Sequence, residues 1–302
     1  MKSLAGVFPV FQTPFHQDET LDVETLEKEI AWLYDCGADG IVMAMVSEVL
    51  RLSTDERQTL AKLACQFGSS RGGAVIVSVG AESSVLAERY ARHAEASGAS
   101  AVMAIPPVSI VIGEAELTRY YQRIIRSIGI PVIVQDASGY VGRPLPVTLL
   151  ARLLDEFGPE RVPFKPEATP IGPRLSELRD ATSGRARVFE GTGGLALVDS
   201  FRRGIIGTMP GADLSRAVVA LWNALRDGNE RKIYRLSLPL SALVSMQNSL
   251  DAFLVVEKYL LVKQGIFRNA VIRGPVGYVM DNETRLEVDR LFGLLDAALA
   301  EN

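Results

Sequence analysis

The chain has 302 residues, 48% hydrophobic and 23% charged, a balance typical of a globular protein that excludes a disordered or collagen-like chain. Its 36 acidic and 32 basic side chains leave a formal net charge of −4, which provides no basic field for nucleic acid or an anionic membrane surface. Two cysteines and two histidines are too few for a zinc ribbon or a three-histidine metal site. With no apolar run near the ~20 residues that span a bilayer and no signal-peptide pattern, we expect a cytoplasmic protein without metal, nucleic-acid or membrane partners.

Short β-branched apolar runs alternate with amphipathic segments from residue 5 to about 210. The predicted strands cover residues 6–11, 40–44, 74–79, 101–105, 131–134, 161–164, 186–189 and 205–208. The predicted helices between them cover residues 23–34, 54–67, 84–96, 114–128, 146–157, 174–181 and 194–203. Strands that are apolar throughout, rather than alternating, are typical of a parallel sheet buried on both faces.

Eight strand–helix units predict an α/β fold, a (β/α)8 TIM barrel over residues 1–225. A doubly wound sheet is the alternative, but its first strand is usually followed by a glycine-rich turn, whereas here Gln12-Thr13-Pro14-Phe15 follows. Beyond residue 212 only helical patterns remain, at residues 214–226, 230–246, 252–264 and 282–299. They predict a helical C-terminal domain over residues 226–302, buried against the barrel or a partner subunit.

One lysine falls at the predicted end of an apolar strand, where TIM barrels carry their chemistry. Arg161-Val162-Pro163-Phe164 leads directly into Lys165. An ammonium group removed from water loses part of its preference for the charged form, and the neutral amine can form a Schiff base with a ketone. The alternatives are that Lys165 reaches solvent or pairs with Glu167 or Glu190. The other lysines, Lys258 among them, lie at the terminus or on helical patterns, and we expect them to be solvent exposed.

Several motifs, in order, resemble those of one enzyme family. They are Thr13-Pro14-Phe15, Glu48 followed by residues 52–57 (LSTDER), Gly98-Ala99-Ser100 before Pro106-Pro107, residues 130–133 (IPVI), and Lys165 followed by Glu167-Ala168-Thr169. With them the chain, from residue 5 to about 300, resembles the dihydrodipicolinate synthase / N-acetylneuraminate lyase family of class I Schiff-base lyases. The resemblance implies a barrel with a helical C-terminal domain and a homo-oligomer, tetramer or dimer. It also implies a 2-oxo acid substrate such as pyruvate, held as a covalent imine on Lys165 without another cofactor.

The chain departs from that family at the proton relay. Residues 44–48 read Ala-Met-Val-Ser-Glu where the family has Gly-Thr-Thr-Gly-Glu, and residues 106–108 read Pro-Pro-Val instead of Pro-Tyr-Tyr. Gln135 stands where the family has its proton-transferring tyrosine, and Tyr140 aligns with the arginine that grips the second substrate of dihydrodipicolinate synthases. The usual tyrosine/threonine relay is therefore absent unless Ser47 replaces its threonine, and activity on aspartate semialdehyde is not expected.

The candidate site residues follow from the strand ends and the resemblance. Lys165 is the predicted nucleophile, Gln135 orients the substrate, and Tyr140 or Glu190 transfers protons. The predicted substrate-binding residues are Thr13, Val46, Ser47, Glu48, Asp136, Gly191 and Met209. For Asp136 and Glu48 the alternative is a structural role, in which Asp136 bonds the backbone of its own turn. The direction of Glu167, two residues after the lysine, is not predicted.

The predicted function is a class I lyase, an aldolase or dehydratase of a 2-keto-3-deoxy sugar acid or a similar 4-hydroxy-2-oxo acid. Two alternatives remain at the level of sequence. Loss of the relay is also consistent with a 2-oxo acid binding protein whose catalysis has degenerated. The glycine-rich turns at residues 191–194 and 209–212 are consistent with a phosphosugar enzyme, since barrels often bind phosphate there.

Overall fold

The computed structural model describes residues 4–301, which form a barrel of eight short parallel strands. The strands are β1 (Gly6–Val7), β2 (Gly40–Met43), β3 (Ala74–Ser78), β4 (Ala101–Ala104), β5 (Val132–Asp136), β6 (Phe164–Pro166), β7 (Phe189–Glu190) and β8 (Gly207–Thr208). A short 3-10 helix, Met45–Ser47, follows β2. The remaining segments are the helices α1 (Val23–Asp35), α2 (Thr54–Ser70), α3 (Ser84–Ala96), α4 (Glu114–Ser127), α5 (Val147–Phe157), α6 (Ile171–Ala181), α7 (Leu197–Arg202), α8 (Ser215–Arg226), α9 (Glu230–Ser245), α10 (Leu250–Lys263) and α11 (Asn282–Ala300).

The strands close into one barrel. Two ladders, β1-β8-β7 and β2-β3-β4-β5-β6, are fully parallel. Isolated parallel bridges join them at both seams, Val10 to Val42 on one side and Phe164 to Val188 on the other. The predicted α/β barrel fold is confirmed, and the alternative doubly wound sheet is wrong because such a sheet stays open at its edges.

Two strand boundaries differ from prediction in ways that matter for the site. β1 ends at Val7 instead of residue 11, and the chain is interrupted there by Pro9, which has no N–H to donate to the ladder. β6 runs two residues further than predicted, so Lys165 lies within the strand and pairs in register with Gln135 of β5. The nucleophile candidate is thereby held by backbone pairing rather than by a loop.

Four helices extend past the last strand. α11 packs on α9 and α8, and α10 packs on the 3-10 helix that follows β2. α8 ends at Arg226, one residue beyond the predicted domain boundary at 225, and the boundary itself stays a prediction. No helix within residues 4–301 combines the length and apolar character needed to cross a bilayer.

The prediction that Lys258 is solvent exposed is wrong. Its side chain is completely buried in α10, where it forms an ion pair with Glu48 and donates hydrogen bonds to the carbonyl oxygens of Thr13 (2.8 Å) and Val271 (2.7 Å). The helical pattern suggested a surface position, but α10 buries residues on nearly all its sides between the barrel and the C-terminal segment. A helix that is apolar all round is typically buried, and a charge on it then requires a partner.

Candidate active site

A pocket that is partly open to solvent lies where the carboxyl ends of the strands meet the C-terminal helices, with about 390 Å³ of empty space that includes this open part. Its walls are formed by Val10, Ala44, Met45, Val46, Gln135, Tyr140, Lys165, Glu167, Gly191, Gly193, Met209, Pro210, Gly211, Leu250, Phe253 and Glu257. Among the predicted site residues, the cavity includes Val46, Gln135, Tyr140, Lys165, Gly191 and Met209. The other predicted site residues are not part of its wall, namely Thr13, Ser47, Glu48, Asp136 and Glu190.

Lys165 projects into this cavity beside two polar side chains. It is only 4% exposed, and its Nζ forms an ion pair with Glu167 Oε1. Gln135 Nε2 donates to the other oxygen of the same carboxylate, Glu167 Oε2, at 3.0 Å. The alternative in which Lys165 reaches bulk solvent is therefore wrong. The other alternative, an ion pair between Lys165 and Glu167, is present, and it lies inside the cavity.

Glu167 is the titratable group in contact with the lysine. Burial raises the pKa of its carboxyl, while the charge and hydrogen bond of Lys165 and the hydrogen bond of Gln135 act in the lowering direction. A raised pKa suits a carboxyl to both accepting and returning a proton, as a general acid/base must. The pair therefore combines an amine with an adjacent acid/base group.

Tyr140 and Glu190 occupy different environments. Tyr140 lines the cavity, stacks edge to face on Phe253 and donates from its hydroxyl to the Gly191 carbonyl oxygen at 3.3 Å. Burial, followed by the nearby acidic side chains, raises its pKa well above the ordinary value, so the phenol stays protonated. Glu190 accepts hydrogen bonds from Thr192 and, at 2.6 Å, from the Thr208 hydroxyl. Its role as a proton carrier stays a prediction, and its carboxylate is engaged by the barrel wall.

Hydrogen bonds of the Thr13 and Ser47 hydroxyl groups hold the 3-10 helix that follows β2 in place. Thr13 Oγ1 donates to the Ser47 carbonyl oxygen at 2.6 Å, and Ser47 Oγ donates to the Phe11 carbonyl oxygen at 2.5 Å. Ser47 Oγ also accepts from the Ala44 amide at 3.1 Å. These bonds tie the 3-10 helix to the end of the first strand, while Val46 is the residue of this group that lines the cavity.

Glu48 and Asp136 both bond to backbone. Glu48 Oε2 accepts from the Arg273 amide at 3.2 Å, in addition to the ion pair of its other oxygen with Lys258. Asp136 accepts from the amides of Ser138 (3.0 Å) and Leu145 (2.9 Å), which shapes the loop carrying Tyr140. The structure thus gives both carboxylates structural partners, as in the alternative stated for them above.

The glycine turn after β7 approaches its neighbours too closely for a side chain. A Cβ on Gly191 would lie 2.7 Å from Glu167 Oε1 and 2.9 Å from Lys165 Cε. Gly193, with φ of +70°, packs against Val244 and Phe253 of the C-terminal helices. These contacts support close packing around Lys165 as the reason for the glycines, instead of a phosphate cradle.

Two residues of the site, Glu167 and Glu257, are not among the candidate site residues predicted from the sequence, although Glu167 is named there as a possible ion-pair partner of Lys165. Glu167 lies two residues after Lys165, and alternation along an extended segment places such residues on one side, so a signal was present. Glu257 is completely buried on α10 and lines the same cavity from the C-terminal side. Its signal was a pair of adjacent charged residues, Glu257 and Lys258, inside an otherwise apolar helix. Within residues 4–301 no cluster of three or more His, Cys, Asp or Glu side chains is arranged to hold a metal ion.

Comparison with known proteins gives the family. The model of the dihydrodipicolinate synthetase family matches residues 3–292. L-2-keto-3-deoxyarabonate dehydratase of Azospirillum brasilense is 28% identical over 300 residues, 96% of this chain and 94% of the relative. An Escherichia coli K12 protein described as a "probable 2-dehydro-3-deoxy-D-pentonate aldolase" is 32% identical over 154 residues, 51% of either chain. The crystal structure of dihydrodipicolinate synthase from Rhodopseudomonas palustris superposes with a TM-score of 0.87 at 25% identity, covering 96% of this chain and 97% of that one. The chain belongs to the dihydrodipicolinate synthetase family.

Proposed function

We propose that the protein is a Schiff-base lyase acting on a 4-hydroxy-2-oxo acid of the 2-keto-3-deoxy sugar acid class. The observation that carries this proposal is the Lys165–Glu167 pair, which is buried at the strand ends in the wall of a pocket partly open to solvent. The similarity to a 2-keto-3-deoxyarabonate dehydratase over nearly the whole chain supports the substrate class. Cavity-lining Gln135 in place of the relay tyrosine argues against the lysine-pathway reaction.

The first step uses the contact between the amine and the carboxylate. Glu167 takes a proton from the Lys165 ammonium, and the free amine attacks C2 of the substrate. The carbonyl oxygen then leaves as water once it has been protonated, and a C2=N iminium ion remains. Gln135, which donates to Glu167 Oε2, holds this carboxyl in place throughout. We propose that the backbone amides of Met45 and Val46, which line the cavity, bind the substrate carboxylate.

The iminium ion permits two outcomes. In dehydration, a base removes a proton from C3 and the C4 hydroxyl leaves as water after receiving a proton. In aldol cleavage, a base removes the proton of the C4 hydroxyl, the C3–C4 bond breaks, and an aldehyde leaves while the enamine of pyruvate remains on Lys165. Both need one group that accepts and returns a proton, and Glu167 is the cavity-lining carboxyl that touches Lys165.

The first prediction concerns the covalent adduct. Borohydride reduction of the protein with pyruvate should attach the three-carbon unit irreversibly to Lys165, as read by peptide mass mapping. Lys165→Ala should abolish the adduct, whereas Lys263→Ala, which changes a half-exposed lysine on α10, should leave it intact. Absence of an adduct with every short 2-oxo acid tried would contradict the proposal.

Turnover of a panel of 2-keto-3-deoxy acids separates the remaining possibilities. Release of pyruvate and an aldehyde identifies an aldolase, and loss of one water without pyruvate identifies a dehydratase. Adduct formation at Lys165 with no turnover of any panel member would favour the 2-oxo acid binding protein. Activity that survives Lys165→Ala and depends on a phosphate group would favour the phosphosugar enzyme.

A further inference from the structure

Glu257 brings a second carboxyl to the cavity from the C-terminal domain. Gln12 Nε2 donates to its Oε2 at 2.6 Å, but its Oε1 is buried and has no hydrogen-bond partner among residues 4–301. The Ala212 backbone lies near the carboxyl without reaching hydrogen-bonding geometry. A buried polar atom without a partner costs about 1–3 kcal/mol, so such an atom in a cavity wall indicates a ligand group.

The backbone around this oxygen makes room for it. A Cβ on Gly211, another wall residue, would lie 2.4 Å from Glu257 Oε1. A second unpartnered oxygen, Gln135 Oε1, belongs to the same cavity. The free polar atoms in the wall are therefore suited to hydroxyl groups, which can donate to an oxygen and also accept a hydrogen bond.

The charge of the cavity points to the same ligand chemistry. Burial, with further contributions from Asp213 and Glu29, raises the pKa of Glu257 well above its ordinary value and so favours the uncharged form of the carboxyl. Among wall residues within 4–301, Lys165 alone has a cationic side chain, and it is already paired with Glu167. A second carboxylate on a ligand would find no additional cation and would face two acidic side chains.

We propose that the Glu257 carboxyl binds a hydroxyl group at the far end of the substrate and thereby selects 2-keto-3-deoxy acids with a single carboxylate over those with two. The inference rests on the proposed function, because the imine on Lys165 fixes one end of the substrate. Glu257 would then read the chain length and the distal oxygen, which pyruvate lacks.

The test compares pyruvate, a 2-keto-3-deoxy pentonate or hexonate, and a 2-keto-3-deoxy hexarate with a second carboxylate. The wild-type protein should turn over the monocarboxylates with the higher kcat/KM. Glu257→Leu should lower that kcat/KM by about tenfold, mainly through KM, as expected for one lost hydrogen bond. Borohydride trapping with pyruvate should lose less than the turnover does, because pyruvate has no distal hydroxyl group.

Two further variants keep the result decisive. Glu257→Gln retains an amide that can donate and accept, so its loss of kcat/KM should be smaller than that of Glu257→Leu, and it serves if the leucine variant fails to fold. Asp289→Asn, which changes a carboxyl on α11 outside the cavity wall, should alter neither readout. Parallel loss of pyruvate trapping and turnover in both Glu257 variants, or a wild-type preference for the hexarate, would overturn the inference. Failure of the wild type to trap any 2-oxo acid would instead contradict the proposed function.

Discussion

At the scale of single residues, the site is organised around one shared carboxylate. Glu167 receives the Lys165 ammonium on one oxygen and the Gln135 amide on the other, so its orientation is fixed from both sides. Gly191 presses against the same pair and leaves no space for a side chain. This geometry supports the proposal that Glu167 transfers the proton, in preference to Tyr140, whose hydroxyl donates to a backbone carbonyl.

Glu167→Gln should therefore separate imine formation from the chemistry that follows. The amide keeps the shape, and its oxygen can still accept from Lys165 while its NH2 group can donate to Gln135 if the Gln135 amide turns its own oxygen toward it. It cannot, however, exchange a proton as a carboxyl does. Deuterium exchange at C3 of pyruvate, followed by NMR, should slow by about 10²- to 10⁴-fold, the usual contribution of a general acid/base. Borohydride trapping at Lys165 should still yield the adduct, at a reduced rate.

Tyr140→Phe is the matched control for that variant. It removes a hydroxyl from the same cavity while preserving the edge-to-face contact with Phe253. We expect its C3 exchange rate to remain close to that of the wild type. If exchange collapsed in Tyr140→Phe and persisted in Glu167→Gln, the phenol would be the proton carrier and the assignment to Glu167 would be wrong.

At the scale of elements, helix α10 connects the C-terminal domain to the site. Glu257 faces the cavity, while the next residue, Lys258, reaches Glu48 after the 3-10 helix and the Thr13 carbonyl after the first strand. Glu48 itself adopts a left-handed backbone conformation with φ of +55°, which turns the chain toward this contact. One buried ion pair thus positions the segment that lines the cavity at Val46.

Lys258→Met should strongly destabilise the fold, because it leaves the Glu48 carboxylate buried without its cation. Breaking a buried pair on one side costs about 3–5 kcal/mol in the free energy of unfolding. The double variant Glu48→Gln/Lys258→Met should recover part of this loss, since no uncompensated charge remains. Urea denaturation followed by circular dichroism measures both.

Lys263→Met provides the control within the same helix. Lys263 pairs with Asp289 at a half-exposed position, so its loss should cost at most about 1 kcal/mol. Equal effects of the two single substitutions would show that the Glu48–Lys258 pair contributes no more than a surface ion pair.

The position of α10 also explains what the sequence could and could not predict. The strand ends followed from local apolar runs, so Lys165 and Gln135 were found by their place after buried strands. Lys258 was wrongly predicted to be exposed because it lies on a helical pattern. Such a pattern identifies the exposed face of a helix only when one face is polar, and α10 is apolar almost throughout. Glu257 was missed for the same reason, since its contact with Gln12 joins residues 245 positions apart.

At the scale of the whole molecule, three carboxyls that form no ion pair within residues 4–301 are buried where the C-terminal helices cover the barrel. Asp213 follows β8, Glu29 lies on α1 and Glu257 on α10, and all three are almost or completely buried. Glu29 Oε1 accepts a hydrogen bond from the backbone amide of Gln12 at 2.9 Å, and the side-chain amide of Gln12 donates a hydrogen bond to Glu257. Burial raises the pKa of each of them, that of Asp213 to about 7.

This cluster predicts that stability falls as the pH rises from about 4 to about 7. In that range the unfolded chain, with ordinary carboxyl pKa values of about 4, has released protons that the folded protein still holds. The folded state therefore binds more protons than the unfolded state, and the free energy of unfolding decreases with increasing pH. Asp213→Asn removes one of the carboxyls that hold a proton only in the folded state. The free energy of unfolding of this variant should therefore decline less steeply with pH than that of the wild type.

Urea denaturation at intervals between about pH 4 and pH 8 tests this prediction, with the gap between Asp213→Asn and the wild type widening toward the upper limit. Asp281→Asn is the control, because Asp281 is an exposed helix cap whose pKa is lowered by its hydrogen bonds to Thr284. That carboxyl is ionised in both states across most of the range, so its substitution should shift stability by a nearly constant amount above about pH 5. A constant offset for Asp213→Asn as well would mean that Asp213 is ionised in the folded protein, which would require solvent or an unrecognised cation at the junction of barrel and C-terminal domain.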